Sequence, residues 1–244
     1  MFQLTIRVDT QRADWFNIFK SCLTEQKLAD YAVVVSAERN NTILVSIGGE
    51  QQNKRKIIET VKEILTKVYL TVVKKEYIER RLKLMRIDNL SKFLIINTLV
   101  AFDRENEEKI LGEELELGGC FSMDGYFNFR MRELKGRWAD ICRLASDNSE
   151  YLANDDTVNE LLKFLISAVN PKVNKAEISQ YGNEFEVTEH NYGNTRKRMF
   201  DSFEQLMLYM IDVAPQKTVI KGRLSDNSLQ KRLVSIFDIV ENIL

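Results

Sequence analysis

From Phe2 to Val8, apolar Phe, Leu, Ile and Val alternate with Gln, Thr and Arg, which gives a strand one dry face and one wet face. Asp9 or Thr10 can accept from the free amides of a following helix, in which Trp15, Phe16, Phe19 and Leu23 recur at helical spacing. Tyr31–Ser36, with Val33, Val34 and Val35 in succession, and Thr42–Ile47 are β-branched runs. Glu38, Arg39, Asn40 and Asn41 between them predict a hairpin turn. The first 50 residues therefore read βαββ.

Gly48-Gly49 ends that unit, and from Gln51 the apolar period becomes helical, with Ile57, Ile58, Val61, Ile64, Leu65 and Val68 on one stripe. The same period continues from Tyr69 to Met85, as one long helix or as two that meet at a bend near 70–74, where Thr71, Val72 and Val73 lower helix propensity. Leu90–Phe102 is apolar nearly all round, the pattern of a helix inside a helical layer. After Gly118-Gly119, Ser122 or Asp124 can cap a helix from Gly125 to Ala145, with a core stripe of Phe127, Met131, Leu134, Trp138, Ile141 and Ala145. Beside it runs a second stripe that mixes aromatic and charged groups: Tyr126, Phe129, Arg130, Glu133, Arg137 and Asp140. A helix that already has a full core stripe uses such a face for a second contact, with another helix of the same chain or with another molecule. Tyr126, Phe129, Arg130, Glu133 and Arg137 are accordingly the candidate interaction residues.

A further helix spans Thr157–Val169 ahead of Pro171, and the period-two segments Val173–Ser179 and Glu184–Thr188 flank Gln180–Asn183 as a hairpin. A helix (Arg196–Ile211), a strand (Thr218–Lys221) and a last helix (Ser228–Ile243) complete a ββαβα unit. The whole is an α+β chain in three regions: an N-terminal α/β unit (1–50), a predominantly helical middle (51–170) and a C-terminal α/β unit (171–244). The strands of the first and last could share one sheet or form two, because pairing over so long a separation has no local signature.

Composition changes little in this picture. At 244 residues and 44% hydrophobic content the chain can bury a large core. The 35 basic and 36 acidic residues cancel, which removes any general electrostatic reason to expect a nucleic-acid partner. Two prolines leave no room for a Pro-rich linker. Cys22, Cys120 and Cys142 are odd in number and lie among apolar residues, as reduced core thiols of a cytoplasmic protein do. The alternating N-terminus does not have the basic-then-apolar form of a signal peptide, and the longest apolar window, Phe93–Phe102, is too short to span a membrane.

The sequence carries no recognisable catalytic centre, cofactor loop or metal site. His190 is the only histidine, which removes metal sites built on several imidazoles, and its neighbours read as an exposed loop. There is no Walker loop, no Gly-x-Gly-x-x-Gly after a strand and no Gly-x-Ser-x-Gly elbow. The acidic run Asp103–Glu116, in which seven acidic residues stand against two basic ones, scatters around a helix and reads as a solvated face. Two basic clusters, Lys74, Lys75, Arg80, Arg81 and Lys83, then Arg196, Lys197 and Arg198, would serve phosphate contact if each converged on one surface. Nucleic acid is thus the second choice of partner after protein, and a homo-oligomer is open.

Three segments together resemble the YtxC family of sporulation proteins. Asp124-Gly-Tyr-Phe-Asn-Phe-Arg-Met131 is similar to that family's acidic, Gly, Phe, two variable positions, Phe-Arg-Leu signature, with Met131 for the leucine and Leu134 where an aromatic is frequent. Asp155–Ala168, with Leu161-Leu-Lys-Phe164, resembles its helix before a β-hairpin. Ile211-Asp-Val-Ala-Pro215 followed by Thr218-Val-Ile-Lys resembles its turn into a short strand and last helix; the further short strand that the family has next is expected to be missing here, a departure from its pattern. The likeness covers residues 105–244. It implies a role in endospore formation and carries no biochemical activity with it.

Overall fold

A computed structural model describes residues 1–26, 28–83, 89–147, 155–237 and 239–243. The protein is an α+β chain with two separate mixed sheets, one in each of two compact units. Unit 1 comprises 1–80 and 104–140, and unit 2 comprises 81–103 and 141–244. The division differs from the three regions read along the sequence: the helical stretch 51–170 is shared between both units.

In unit 1, β1 (Phe2–Asp9) leads through a 3-10 turn into α1 (Ala13–Glu25), and β2 (Ala32–Arg39) and β3 (Thr42–Gly49) form the hairpin. Its loop is two residues, Asn40 and Asn41, both left-handed (φ 50° and 58°), the conformation that matches the right-handed twist of the strands. α2 (Lys54–Val68) passes through a π-helical turn, Tyr69–Val73, into α3 (Lys74–Arg81) without a break. The weak helix formers at 71–73 thus loosen one continuous helix rather than bending two apart; Met85 lies outside the described residues. After α4 (Asn89–Ala101), which belongs to unit 2, come α5 (Arg104–Glu114) and a short strand that periodicity did not predict, β4 (Cys120–Ser122), parallel to β1. The sheet order is β2-β3-β1-β4. Leu4, Ile6, Val8, Val45, Ile47 and Phe121 point from one face into a core shared with Trp15, Phe19, Ile57, Val61, Leu65 and Trp138.

The helix expected over 125–145 is two helices, α6 (Met123–Phe129) and α7 (Arg132–Asp147). The amides of both Arg130 and Met131 close on the Tyr126 carbonyl, which ends α6. Ser122 caps it, accepting from the Gly125 amide at 3.1 Å, while the Asp124 carboxylate accepts the Asp9 amide at 2.7 Å and ties α6 to the end of β1.

Unit 2 has α4 and α8 (Asp155–Ser167), then β5 (Lys175–Tyr181), β6 (Glu184–Asn191), β7 (Asn194–Phe200), α9 (Phe203–Val213), β8 (Lys217–Lys221), α10 (Asn227–Ile236) and β9 (Ile239–Ile243), in the sheet order β7-β6-β5-β8-β9. Two expectations are corrected here. Residues 196–200 are strand, and the helix begins only after Ser202, whose hydroxyl caps it. The last helix stops at Ile236, and 239–243 complete the sheet, so the C-terminal unit reads βββαβαβ. Ala176, Ile178, Val187 and Ile220 bury one sheet face, on which α9 packs over β6 and β7. Among the described residues, no helix is long and apolar enough to cross a membrane.

Candidate functional site

The five candidate residues do not share one face, because the break after α6 rotates the chain. Tyr126 turns into the unit 1 core, its ring 5.5 Å from Tyr69 and 5.4 Å from Phe121. Phe129 is 72% exposed, unusual for a large aromatic, and Arg130 is exposed beside it. Glu133 and Arg137 pair with each other at 3.4 Å along α7. Their ion pair is half exposed and of the kind that contributes little.

Tyr126, Phe129 and Arg130 lie on an open pocket of about 660 Å³, together with Gly125 of α6, Cys120, Phe121 and Ser122 of β4, and Glu114 and Glu116 at the end of α5. Three consecutive elements, within residues 114–130, build it. β4 is the edge strand of its sheet, and it is bonded to β1 through Thr5, whose amide donates to the Gly119 carbonyl at 2.9 Å. The alternation of a parallel ladder then directs the backbone N–H and C=O of Cys120 away from β1, to the open edge. Phe121 supplies an apolar wall. The Tyr126 hydroxyl is buried beside the Glu114 carboxylate. Burial chiefly, then the negative charge of Glu114 and a hydrogen bond to it, raise its pKa well above the ordinary phenol range, and Arg130 opposes them. The group therefore stays a neutral donor, with Glu114 as its acceptor.

This geometry offers one aromatic surface, one guanidinium and a free strand edge, parts that suit an extended polypeptide: backbone pairing at an edge and a side chain in an adjoining pocket. Cys120 is exposed on β4, which corrects its reading as a core thiol; Cys22 and Cys142 are buried. Glu114, Glu116 and Cys120 were invisible as site residues, since the first two sat in an acidic run and the third in a strand of three residues. No group of acidic, cysteine or histidine side chains among the described residues could hold a metal ion.

The basic clusters do not converge. Lys74 is fully buried against Glu107, Lys75 pairs with Glu79 and Arg80 with Glu76. Arg196, Lys197 and Arg198 lie on β7 rather than at a helix start, and its alternation turns Lys197 to Glu186 and Arg198 to Glu189 on opposite faces. His190 is on β6, not in a loop, with Nε2 3.2 Å from Glu177. Glu177 also meets Lys221 at 2.5 Å and Lys175 at 2.9 Å; the Lys221 contact foremost holds its carboxyl down at about 2.

Compared with family models, curated proteins and solved structures, the chain matches none.

Proposed function

We propose that the protein is a non-enzymatic, cytoplasmic interaction factor that receives an extended segment of another protein in the pocket formed by α6, β4 and the end of α5. The likeness of residues 105–244 to YtxC proteins makes endospore formation the process it serves. The observation that carries the reading is the exposed Phe129 and Arg130 beside the free edge of β4. A partner's backbone would pair with that edge, and its apolar side chain would cover Phe129 and remove it from water. The non-enzymatic part rests on the sequence, which has a single histidine and no phosphate-binding or nucleophile motif.

The test is affinity purification from sporulating cells with the wild-type chain and with the Phe129→Ala/Arg130→Glu double variant. Both side chains are exposed, so the variant keeps a native circular dichroism spectrum while losing the partner. An unfolded variant, or one that retains the same partners, removes the pocket from the function.

A further inference from the structure

β2 is an edge strand eight residues long, with no lysine, proline or bulge along it. Every residue after Ala32 is exposed, including Val33 (69%), Val34 (37%) and Val35 (58%). Edges of this length usually carry lysine, proline or a bulge against pairing with another chain. β7, at the edge of the other sheet, carries Arg196, Lys197 and Arg198, and β4 is only three residues long. β2 has an unbroken register with β3 and holds its only charges, Glu38 and Arg39, at the turn end.

We infer that β2 is the seam of a homodimer, in which two copies pair their β2 strands antiparallel about a two-fold axis at Val35.

Backbone alternation sets which groups are available. Asn40-Asn41 is a two-residue loop, so Arg39 and Thr42 are its closing hydrogen-bonded pair. Arg39, Ala37, Val35 and Val33 therefore spend their backbone groups on β3, while Ala32, Val34, Ser36 and Glu38 turn theirs outward. A two-fold axis makes the pairing isologous, and residues that face each other must share a sheet face, which restricts the centre to a residue opposite itself. Centring on Val34 carries Glu38 past the start of the partner strand, toward the like charge of Asp30 in the 3-10 turn before it, and centring on Ser36 sets Glu38 and Arg39 opposite valines. Centring on Val35 avoids both. It pairs the outward backbone groups of Val34 with Ser36 and of Ala32 with Glu38, and stacks Val35 on its own copy.

Charge agrees with the same register. Glu38 of one copy arrives opposite Ala32 of the other, next to Tyr31, over whose ring Lys56 sits at 3.9 Å. Both Glu38 and Lys56 are exposed, so each seam end brings an anion to a cation, twice by symmetry. A single strand edge buries less than the roughly 800 Å² per partner of a standard interface, so the dimer is weak, with Kd about 1 to 100 µM.

Sedimentation velocity of the full chain across that range tests it. The wild type shifts from monomer to dimer with concentration. Val35→Lys, which places two ammonium groups face to face, weakens the dimer at least about tenfold with native circular dichroism. Glu38→Lys weakens it, and Glu38→Lys/Lys56→Glu restores it. In a Cys120→Ser background, Val35→Cys forms an intermolecular disulfide under mild oxidation, because a non-hydrogen-bonded pair brings Cα atoms to about 4.5 Å; Val34→Cys, which faces Ser36, does not. A chain that remains monomeric throughout, a dimer untouched by Val35→Lys, a charge swap without recovery, or a link at position 34 equal to that at 35 overturns the seam. Val35→Lys, Glu38→Lys and Lys56→Glu do not touch the α6 pocket, so in those chains partner capture there is read separately; the Cys120→Ser background serves the crosslinking alone.

Discussion

Lys74 and Glu107 show how far a residue's fate departs from its neighbourhood in sequence. Lys74 reads as one of a basic cluster and Glu107 as one of a solvated acidic run, yet both are fully buried, 2.8 Å apart, and Trp138 Nε1–H donates to the other Glu107 oxygen at 2.9 Å. Neither charge could be placed from local pattern, since the pair forms only when the helix after the π-turn meets α5. Replacing Lys74 by Met leaves a buried carboxylate without its cation and is expected to cost about 3 to 5 kcal/mol in urea unfolding. Lys74→Met/Glu107→Gln should recover part of that loss, because the amide removes the charge and still accepts from Trp138. Glu177 makes a second prediction at this scale. Its carboxyl is held at about 2 against an ordinary 4.5, chiefly by Lys221, so it contributes stability that is present above pH about 4.5 and is lost as pH falls toward 2. Its three partners are 38–48% exposed, and solvent screening reduces the contribution to about 1 kcal/mol. Thermal melts of Glu177→Gln should lie below wild type at pH 6 and converge with it near pH 2.

At the scale of elements, the dry-faced strands and amphipathic helices were legible because one side of each meets the core: β1, β3, α1 and the helix from 54 all lie where their period puts them. The misread elements lack that asymmetry. β7 is exposed along both faces but for Phe200, so Arg, Lys and Met there displayed their helix propensity and no alternation. β4 is too short to show a period, and β9 continues the helical spacing of α10 across a chain reversal that depends on β8 being there to pair. The candidate stripe was half legible. Its aromatic-basic composition identified the neighbourhood of a pocket, but the break at 130–131 arises from a carbonyl shared by two amides, which no side-chain pattern announces. Helix-to-sheet docking supplies a test. A Cβ at Gly49 would stand 2.6 Å from Ile57 Cδ1 and 3.2 Å from the Tyr31 carbonyl, so Gly49→Ala makes the Ile57 side chain turn aside and crowds the Tyr31 backbone. It should cost about 1 to 3 kcal/mol by chemical denaturation, and the added truncation Ile57→Val should cost less than it does alone, since it relieves the clash.

For the molecule as a whole, each unit is made from two separated segments of chain, and this accounts for what sequence order concealed. β4 joins β1 across about 115 residues, and Met131, Leu134 and Trp138 enter the same core as Trp15 and Leu65. Boundaries drawn where the period changes follow the order of elements; units follow the contacts that bury them, and the two coincide only when a unit is continuous. The first 80 residues hold three of the four strands of their sheet and most of its core, so by pattern they would pass for a domain. They lack Phe121, Met131, Leu134 and Trp138, all buried in the whole chain, and they lack the Met123 carbonyl that accepts from the Tyr69 hydroxyl at 2.9 Å. Losing that much apolar cover from a unit of this size removes the surplus on which cooperativity depends. A fragment of residues 1–80 is therefore expected to keep helical circular dichroism without a cooperative urea transition, and addition of a 104–140 fragment should restore one. A sharp transition in 1–80 alone would show that the core closes without its second segment.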